Sequence, residues 1–289
     1  MTPLLTVRGL TIRFGGVTAL NQVDFAVQPG SITALIGPNG AGKTTVFNCV
    51  TGFYRADGGT IRLHAGQQDE EGLNLLTLLG EPVRWRDCWQ PQRLAERLYY
   101  QMFGGPHLVN RAGVARTFQN IRLFNELTVM ENLLVAQHTQ VDAALLSGLL
   151  RSRRFLAKEE AALQRATEWL RFFALHGEAN RLAGELPYGH QRRLEMARAL
   201  CTNPRLLCLD EPAAGLNPNE TRLLSQLILT LRDQFQVTIL LIEHDMGMVM
   251  EISDHLVVLD HGEVIARGTP EEIQQNPRVL AAYLGTGAG

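Results

Sequence analysis

The run GPNGAGKTT (37–45) fits the pattern GxxxxGK[ST] and lies between an apolar run and a helical period. Glycines so spaced let backbone N–H groups close on phosphate oxygens. A lysine at the end reaches the outer phosphates, and the hydroxyl after it ligates Mg²⁺. Gly37, Pro38, Asn39, Gly40, Ala41, Gly42, Lys43, Thr44 and Thr45 are therefore the expected nucleotide contacts, with Thr44 also on the metal. LLCLDEP (206–212) is an apolar run that ends in two carboxylates. Asp210 there suits Mg²⁺ held through water, and Glu211 suits a general base acting on an attacking water. Without a phosphate loop the same pair would read as a solvated acidic turn. LLIEHD (240–245) has the same form, and its His244 fits either a hydrogen bond to a γ-phosphate or a structural role. RTFQN (116–120) places Gln119 after a short strand, where it could ligate Mg²⁺ and swing as the nucleotide changes. IRFGG (12–16) offers Phe14 either for stacking on adenine or for the core. In LPYGHQRRLEMARAL (186–200), Gly189 stands just ahead of a helix, a place that attracts phosphate. Leu194, Ala197 and Cys201 recur there at three and four, with Arg192, Arg193 and Arg198 turned elsewhere.

The elements that must carry these residues alternate. Strands are expected over 31–36, 113–118, 206–209 and 237–242, and helices over 43–52, 220–235 and 246–253. The runs 255–259 and 263–267 flank Asp260-His261-Gly262 as a hairpin. Thr269 with Glu272 and Thr128 with Glu131 have the spacing of capping boxes, the first with Pro270 at the opening helical position. This order of strands and helices predicts an α/β core. A mainly helical stretch, about 120–200, interrupts it as a subdomain. The segment 66–110 is long for a connection and carries Trp85, Trp89, Tyr99 and Tyr100. Within it Leu94, Leu98 and Met102 recur every four residues, which predicts an amphipathic helix over 91–103. The segment reads as an inserted arm, packed on the domain edge or used to bind a partner.

Composition removes other classes. A net charge of −2 lacks the basic excess of a sequence-independent nucleic-acid surface. The cysteines, Cys49, Cys88, Cys201 and Cys208, show no CxxC spacing, so they read as small apolar residues in a reducing compartment. The opening MTPLLTVRGL has no basic start and no long apolar region, and the apolar runs are strand-length. A soluble, cytoplasmic chain is expected, with any membrane role resting on a partner.

Taken in order, the aromatic, the phosphate loop, the Gln, the glycine-led helix, the Asp-Glu pair and the His resemble the nucleotide-binding subunits of ABC transporters along nearly the whole chain. LPYGHQ stands where that family has its LSGGQ signature, and AAGLNP (213–218) where it has the D-loop. The resemblance implies one ABC ATPase domain over 1–289: a RecA-like P-loop core, an antiparallel β-subdomain and the inserted helical subdomain. It also implies a head-to-tail sandwich of two ATP molecules by two cassettes, in which Gly189 of the signature grips the partner's ATP. The strings GPNGAGKTTVFNCVTGFY, RTFQNIRLFNELTVMENLLVAQH, YGHQRRLE, DEPAAGLNPNE, LLIEHDMGMVM and AAYLG are similar to the LivG-type ATPases of branched-chain amino acid importers. That branch implies Mg-ATP as cofactor, a second ATPase subunit, two permease subunits and a periplasmic binding protein. It implies no nucleic acid, membrane contact only through the permeases, and a place on the cytoplasmic face of the inner membrane. A related system carrying urea, amides or an envelope lipid is the alternative, and a non-transport switch module lies further off.

The signature and the D-loop depart from the family pattern. Pro187 and His190 replace Ser and Gln of the signature, and a proline offers neither hydroxyl nor N–H. One hydrogen bond to the partner's γ-phosphate, of about 1.5–3 kcal/mol, is therefore expected to be missing. Asn217 replaces the D-loop Asp and is expected to weaken communication between sites. The set Lys43, Thr44, Gln119, Asp210, Glu211 and His244 is complete, so two unequal ATP sites are expected.

Overall fold

In a computed structural model of the chain, residues 2–66, 69, 71–80, 99–100, 102–137 and 153–284 are described. Strands β3 (Ile32–Ile36), β7 (Leu206–Asp210) and β8 (Thr238–Ile242) are buried at every residue. Such continuous apolar runs belong to parallel strands covered on both faces. They lie in a six-stranded sheet of order β10-β9-β3-β8-β7-β6, with β6 at Val114–Arg116, β9 at His255–Asp260 and β10 at Glu263–Gly268. All neighbours are parallel except the β9–β10 hairpin. The hairpin turn has His261 at φ 44° and Gly262 at φ 80°, the positive pair that a two-residue type I′ turn requires. A second, antiparallel sheet has the order β2-β1-β4-β5, formed by Val17–Val27, Leu5–Phe14, Gly58–Leu63 and Leu73–Asn74 respectively.

Strand alternation divides the apolar residues between two cores. Ile32, Ala34 and Ile36 of β3, Leu207 and Leu209 of β7, and Ile239 and Leu241 of β8 face one core. The helical subdomain shares that core through Leu133, Leu170, Phe173 and Leu194. The intervening Leu35, Leu206, Cys208, Leu240 and Ile242 face the other core, against helix α1 (Lys43–Val50) and the antiparallel sheet.

Helix α2 (Pro106–Arg111) precedes β6. Among the described residues, three longer helices lie in the helical subdomain: α3 (Val129–Gln137), α4 (Arg153–Phe172) and α5 (Tyr188–Leu200). The capping box at Thr128 is present, with Glu131 N–H donating to Thr128 Oγ1 at 3.2 Å and Thr128 N–H to Glu131 Oε2 at 2.7 Å. Most of the amphipathic helix expected over 91–103 lies outside the described residues, as do Trp85 and Trp89. Of the segment read as an arm, Leu75, Leu76 and Leu78 are buried in the second core, and β5 adds to β4.

Helix α6 (Pro218–Phe235) begins before the expected residue 220, because Asn217 caps it. The Asn217 side chain accepts from Asn219 N–H and Glu220 N–H, each at 3.0 Å, and the Glu220 carboxylate accepts in return from Asn217 N–H. Asn217→Ala is expected to cost about 1 kcal/mol of stability, while Asn217→Asp, which can make the same cap, stays near wild type. Urea unfolding of the two variants checks this. Helix α7 (Met246–Ile252) follows β8, and α8 (Pro270–Gln274) and α9 (Pro277–Leu284) follow β10. The Thr269–Glu272 box caps α8 as expected.

Candidate functional site

Four of the parallel strands deliver a motif at or just beyond their carboxyl ends, the edge where ligands bind in open α/β sheets. Strand β3 runs into the loop 37–42, β7 into Asp210 and Glu211, β8 into Glu243 and His244, and β6 toward Gln119. Asn39, Gly40, Ala41, Gly42, Lys43, Thr44, Thr45, Gln119, Glu211 and His244 line one cleft of about 600 Å³. Val17, Thr18, Ala19 and His261 complete its wall, and no motif in the sequence pointed to them.

The loop 37–42 is a backbone structure. Gly37 has φ 147°, and a Cβ there would stand 2.0 Å from the Leu259 carbonyl oxygen, so no larger residue fits. Gly42 caps α1 without a side-chain bond, which leaves the N–H groups of the first turn for an anion. Lys43 is buried, and its Nζ donates to the carbonyls of Gly37 at 2.7 Å and Pro38 at 2.9 Å. Burial lowers the Lys43 pKa, and the Glu211 charge opposes that shift.

Glu211 is held between two side chains. Gln119 Nε2 donates to its Oε2 at 2.7 Å, and His244 Nε2 lies 2.9 Å from its Oε1. Its backbone is left-handed, φ 48°, a conformation that costs a non-glycine residue about 1–3 kcal/mol and gathers at functional sites. Glu211 N–H donates to Ile242 O at 2.9 Å and so keeps the turn in place. Next to it, Glu243 is buried and accepts from Ala213 N–H at 2.7 Å, His244 N–H at 2.9 Å and Asp245 N–H at 3.4 Å. This carboxylate ties the turn after Glu211 to the start of the His244 loop, a role the string LLIEHD did not reveal.

Asp210 is not among the residues lining the cleft. It is buried, and its Oδ2 accepts from Arg116 Nη2 at 2.7 Å. Arg116 Nη1 also donates to Asn48 Oδ1 at 2.6 Å and Thr51 Oγ1 at 3.1 Å. The guanidinium lies 5.2–5.8 Å from the ring centroids of Phe118, Phe53 and Phe47. Phe14 is also outside the lining, packed edge-to-face on Tyr54 at 5.3 Å.

The signature helix differs from expectation at two points. It starts at Tyr188, with Pro187 as its cap at ψ 149°, so Gly189 lies inside its first turn and not ahead of it. A cap residue needs no N–H of its own, and the Pro187 carbonyl accepts from His190 N–H at 2.9 Å and Gln191 N–H at 3.0 Å. Arg192, read as turned away from the core, is 2% exposed and bonded to the Gln119 loop.

For a hard divalent cation the cleft offers two oxygens that suit Mg²⁺, the Thr44 hydroxyl and the Gln119 amide carbonyl, while the Asp210 carboxylate, expected to act through water, stands outside the lining and is paired with Arg116. Gln119 gives its nitrogen to Glu211, which leaves the amide oxygen for such an ion.

Comparisons with known proteins agree with this geometry. A family model described as ABC transporter matches residues 20–214, and one described as branched-chain amino acid ATP-binding cassette transporter matches residues 263–289. The High-affinity branched-chain amino acid transport ATP-binding protein LivG of Escherichia coli (strain K12) is 50% identical over 283 residues, which is 98% of each chain. The corresponding protein BraF of Pseudomonas aeruginosa is 49% identical over the same share. A crystal structure of the ADP conformation of an ATP-binding cassette of an ABC transporter superposes with a TM-score of 0.75 at 30% identity, covering 99% of this chain and 100% of the other.

Proposed function

The chain belongs to the ABC transporter family of ATP-binding proteins, and on that premise we propose that it hydrolyses ATP to power an importer of branched-chain amino acids. One observation carries the chemistry: Lys43, Gln119, Glu211 and His244, brought from four strand ends, share one cleft. The cargo follows from the relatives named above and from the family match at 263–289. We read 1–289 as a single ABC ATPase domain, with 66–110 as its arm and about 120–200 as its helical subdomain.

Of the three N–H groups on Lys43, two are taken by the loop carbonyls, and the third remains for a phosphate oxygen. The first-turn N–H groups of α1 hold the phosphates in line. Water attacks the γ-phosphorus; the new P–O bond forms as the β,γ-bridging bond breaks, and ADP leaves with the bridging electrons. Glu211 takes the proton of that water. Gln119 and His244 each hold one of its carboxylate oxygens, and each oxygen keeps a second lone pair that can take the proton. Thr44 and Gln119, with Asp210 through water, would hold Mg²⁺, which would neutralise charge on the phosphate oxygens. Phe14 would turn from Tyr54 to stack on adenine.

Partners follow from the same reading: a second ATPase subunit whose signature completes this cleft, two permeases and a periplasmic binding protein. No helix among the described residues is long and apolar enough to cross a membrane. We place the chain on the cytoplasmic face of the inner membrane, held there by the permeases. Gly189 presents its own helix N-terminus to the partner's ATP with one donor fewer, because of Pro187, and the two sites are unequal.

Deleting the gene should reduce uptake of labelled leucine to background. Restoring the chain should recover it, and the chain carrying Lys43→Ala should not. Normal leucine uptake in the deletion strain would redirect the assignment to another cargo.

A further inference from the structure

Tyr188, Arg192 and Glu195 follow one another at four and three residues along α5, so they share a face. Its Arg192–Glu195 part is turned inward, while Tyr188 at the helix start is exposed. Arg192 and Glu195 are each 2% exposed and form an ion pair at 3.3 Å. Their other bonds go to the backbone of the Gln119 loop. Arg192 Nη1 donates to Phe118 O at 2.6 Å, and Arg192 Nη2 donates to Gln119 O. Glu195 Oε1 accepts from Phe118 N–H at 3.2 Å and Arg122 N–H at 3.3 Å. The stretch 119–124 is neither helix nor strand, so these bonds set its path.

Tyr188 reaches the other way. Its ring lies 5.6 Å from the Arg192 guanidinium, and its hydroxyl donates to Ala214 O at 3.1 Å. Ala214 N–H in turn donates to Glu211 O at 3.1 Å. The contact is close: Gly215 has φ 79°, and a Cβ there would lie 3.1 Å from the Tyr188 ring. In the LSGGQ pattern this position holds a glycine; here it holds Tyr188.

We propose that Tyr188 and Arg192 are positioning residues for hydrolysis: they clamp the Gln119 loop to the turn that follows Glu211, within one chain, and so set the Gln119 amide on the Glu211 carboxylate. A buried Arg–Glu pair is a weak source of stability, since an apolar pair of similar volume packs as well. What an apolar pair cannot do is hold loop carbonyls and loop N–H groups. The proposal rests on Glu211 as the base of the reading above.

The test is a double-mutant cycle on the chain assembled with its partner subunits. Arg192→Lys keeps the charge beside Glu195 but replaces a planar fork with a point donor. It should lower kcat about tenfold with the KM for ATP within about twofold, and should change kcat less than about twofold when Gln119 is already Ala. Tyr188→Phe, which loses only the hydroxyl, should lower kcat about threefold, again only when Gln119 is present. Amide exchange at Phe118 and Arg122 should quicken in Glu195→Gln. Losses that multiply in the Gln119→Ala background, or unchanged exchange at both amides, overturn the clamp. A wild-type assembly that turns over no ATP overturns instead the hydrolytic reading beneath it.

Discussion

Glu211→Gln lowers the rate of ATP hydrolysis by about 10²–10⁴-fold, the contribution of a positioned general base, and leaves ATP affinity within a few-fold. The substitution is nearly isosteric. The new side chain would still sit in the left-handed turn held by Ile242 O, and its amide would still meet Gln119 and His244. What is lost is the group that takes the proton of water. On the reading proposed above, Lys43 and the first turn of α1 bind phosphate without Glu211, so binding should survive. Turnover and ATP binding measured on the same protein separate the two. A variant that hydrolyses within about tenfold of wild type would remove Glu211 from the role of base.

The same variant reports on the signature. With hydrolysis blocked, any ATP sandwich the chain can form with itself persists. Pro187 removes one charge-assisted hydrogen bond of about 1.5–3 kcal/mol from each of its two sites, which is roughly ten- to hundredfold per site. The Tyr188 and Gly189 N–H groups and the helix dipole remain. The expected result is a monomer that binds ATP when purified alone, converted to an ATP-dependent dimer by Pro187→Ser or by the partner subunit. Light scattering with and without Mg-ATP distinguishes the cases. A stable homodimer of Glu211→Gln alone would show that backbone donors suffice and that the sites are equal.

The sequence carried the cleft further than its supports, and the reason is distance along the chain. Lys43, Gln119, Glu211 and His244 each end a short apolar run or follow a glycine loop, so local pattern alone brings them to the same sheet edge. Arg116 and Arg192 act on partners 94 and 74 residues away, and nothing near them in sequence signals it. Charged residues are usually exposed, so a stripe counted on apolar residues put Arg192 on the wrong face of its helix. Pro187 misled in another way. It lacks the donor a signature uses, yet as a helix cap it needs none, and the helix therefore starts one residue before Gly189. Asn217 reads as a weakened D-loop in the sequence and serves as a helix cap in the structure.

Arg116 gives the largest expected effect on stability. Arg116→Met leaves the Asp210 carboxylate, 5% exposed, without its cation, and breaking a buried pair in this way costs about 3–5 kcal/mol. That is a large share of the roughly 5–15 kcal/mol by which domains are stable, so the variant should be marginal without nucleotide. Part of the loss is the orphaned charge, and part is the lost fork to Asn48 and Thr51, which ties α1 to β6. A second substitution divides them. Arg116→Met with Asp210→Asn has no buried charge and should recover most of the loss. Arg116→Lys retains the charge but reaches fewer acceptors, and should fall between Met and wild type. Urea unfolding in the absence of nucleotide gives the order: wild type, then the double variant and Lys, then Met. If the double variant is as unstable as Arg116→Met alone, the orphaned charge is not the cause, and the fork to α1 is what Arg116 supplies.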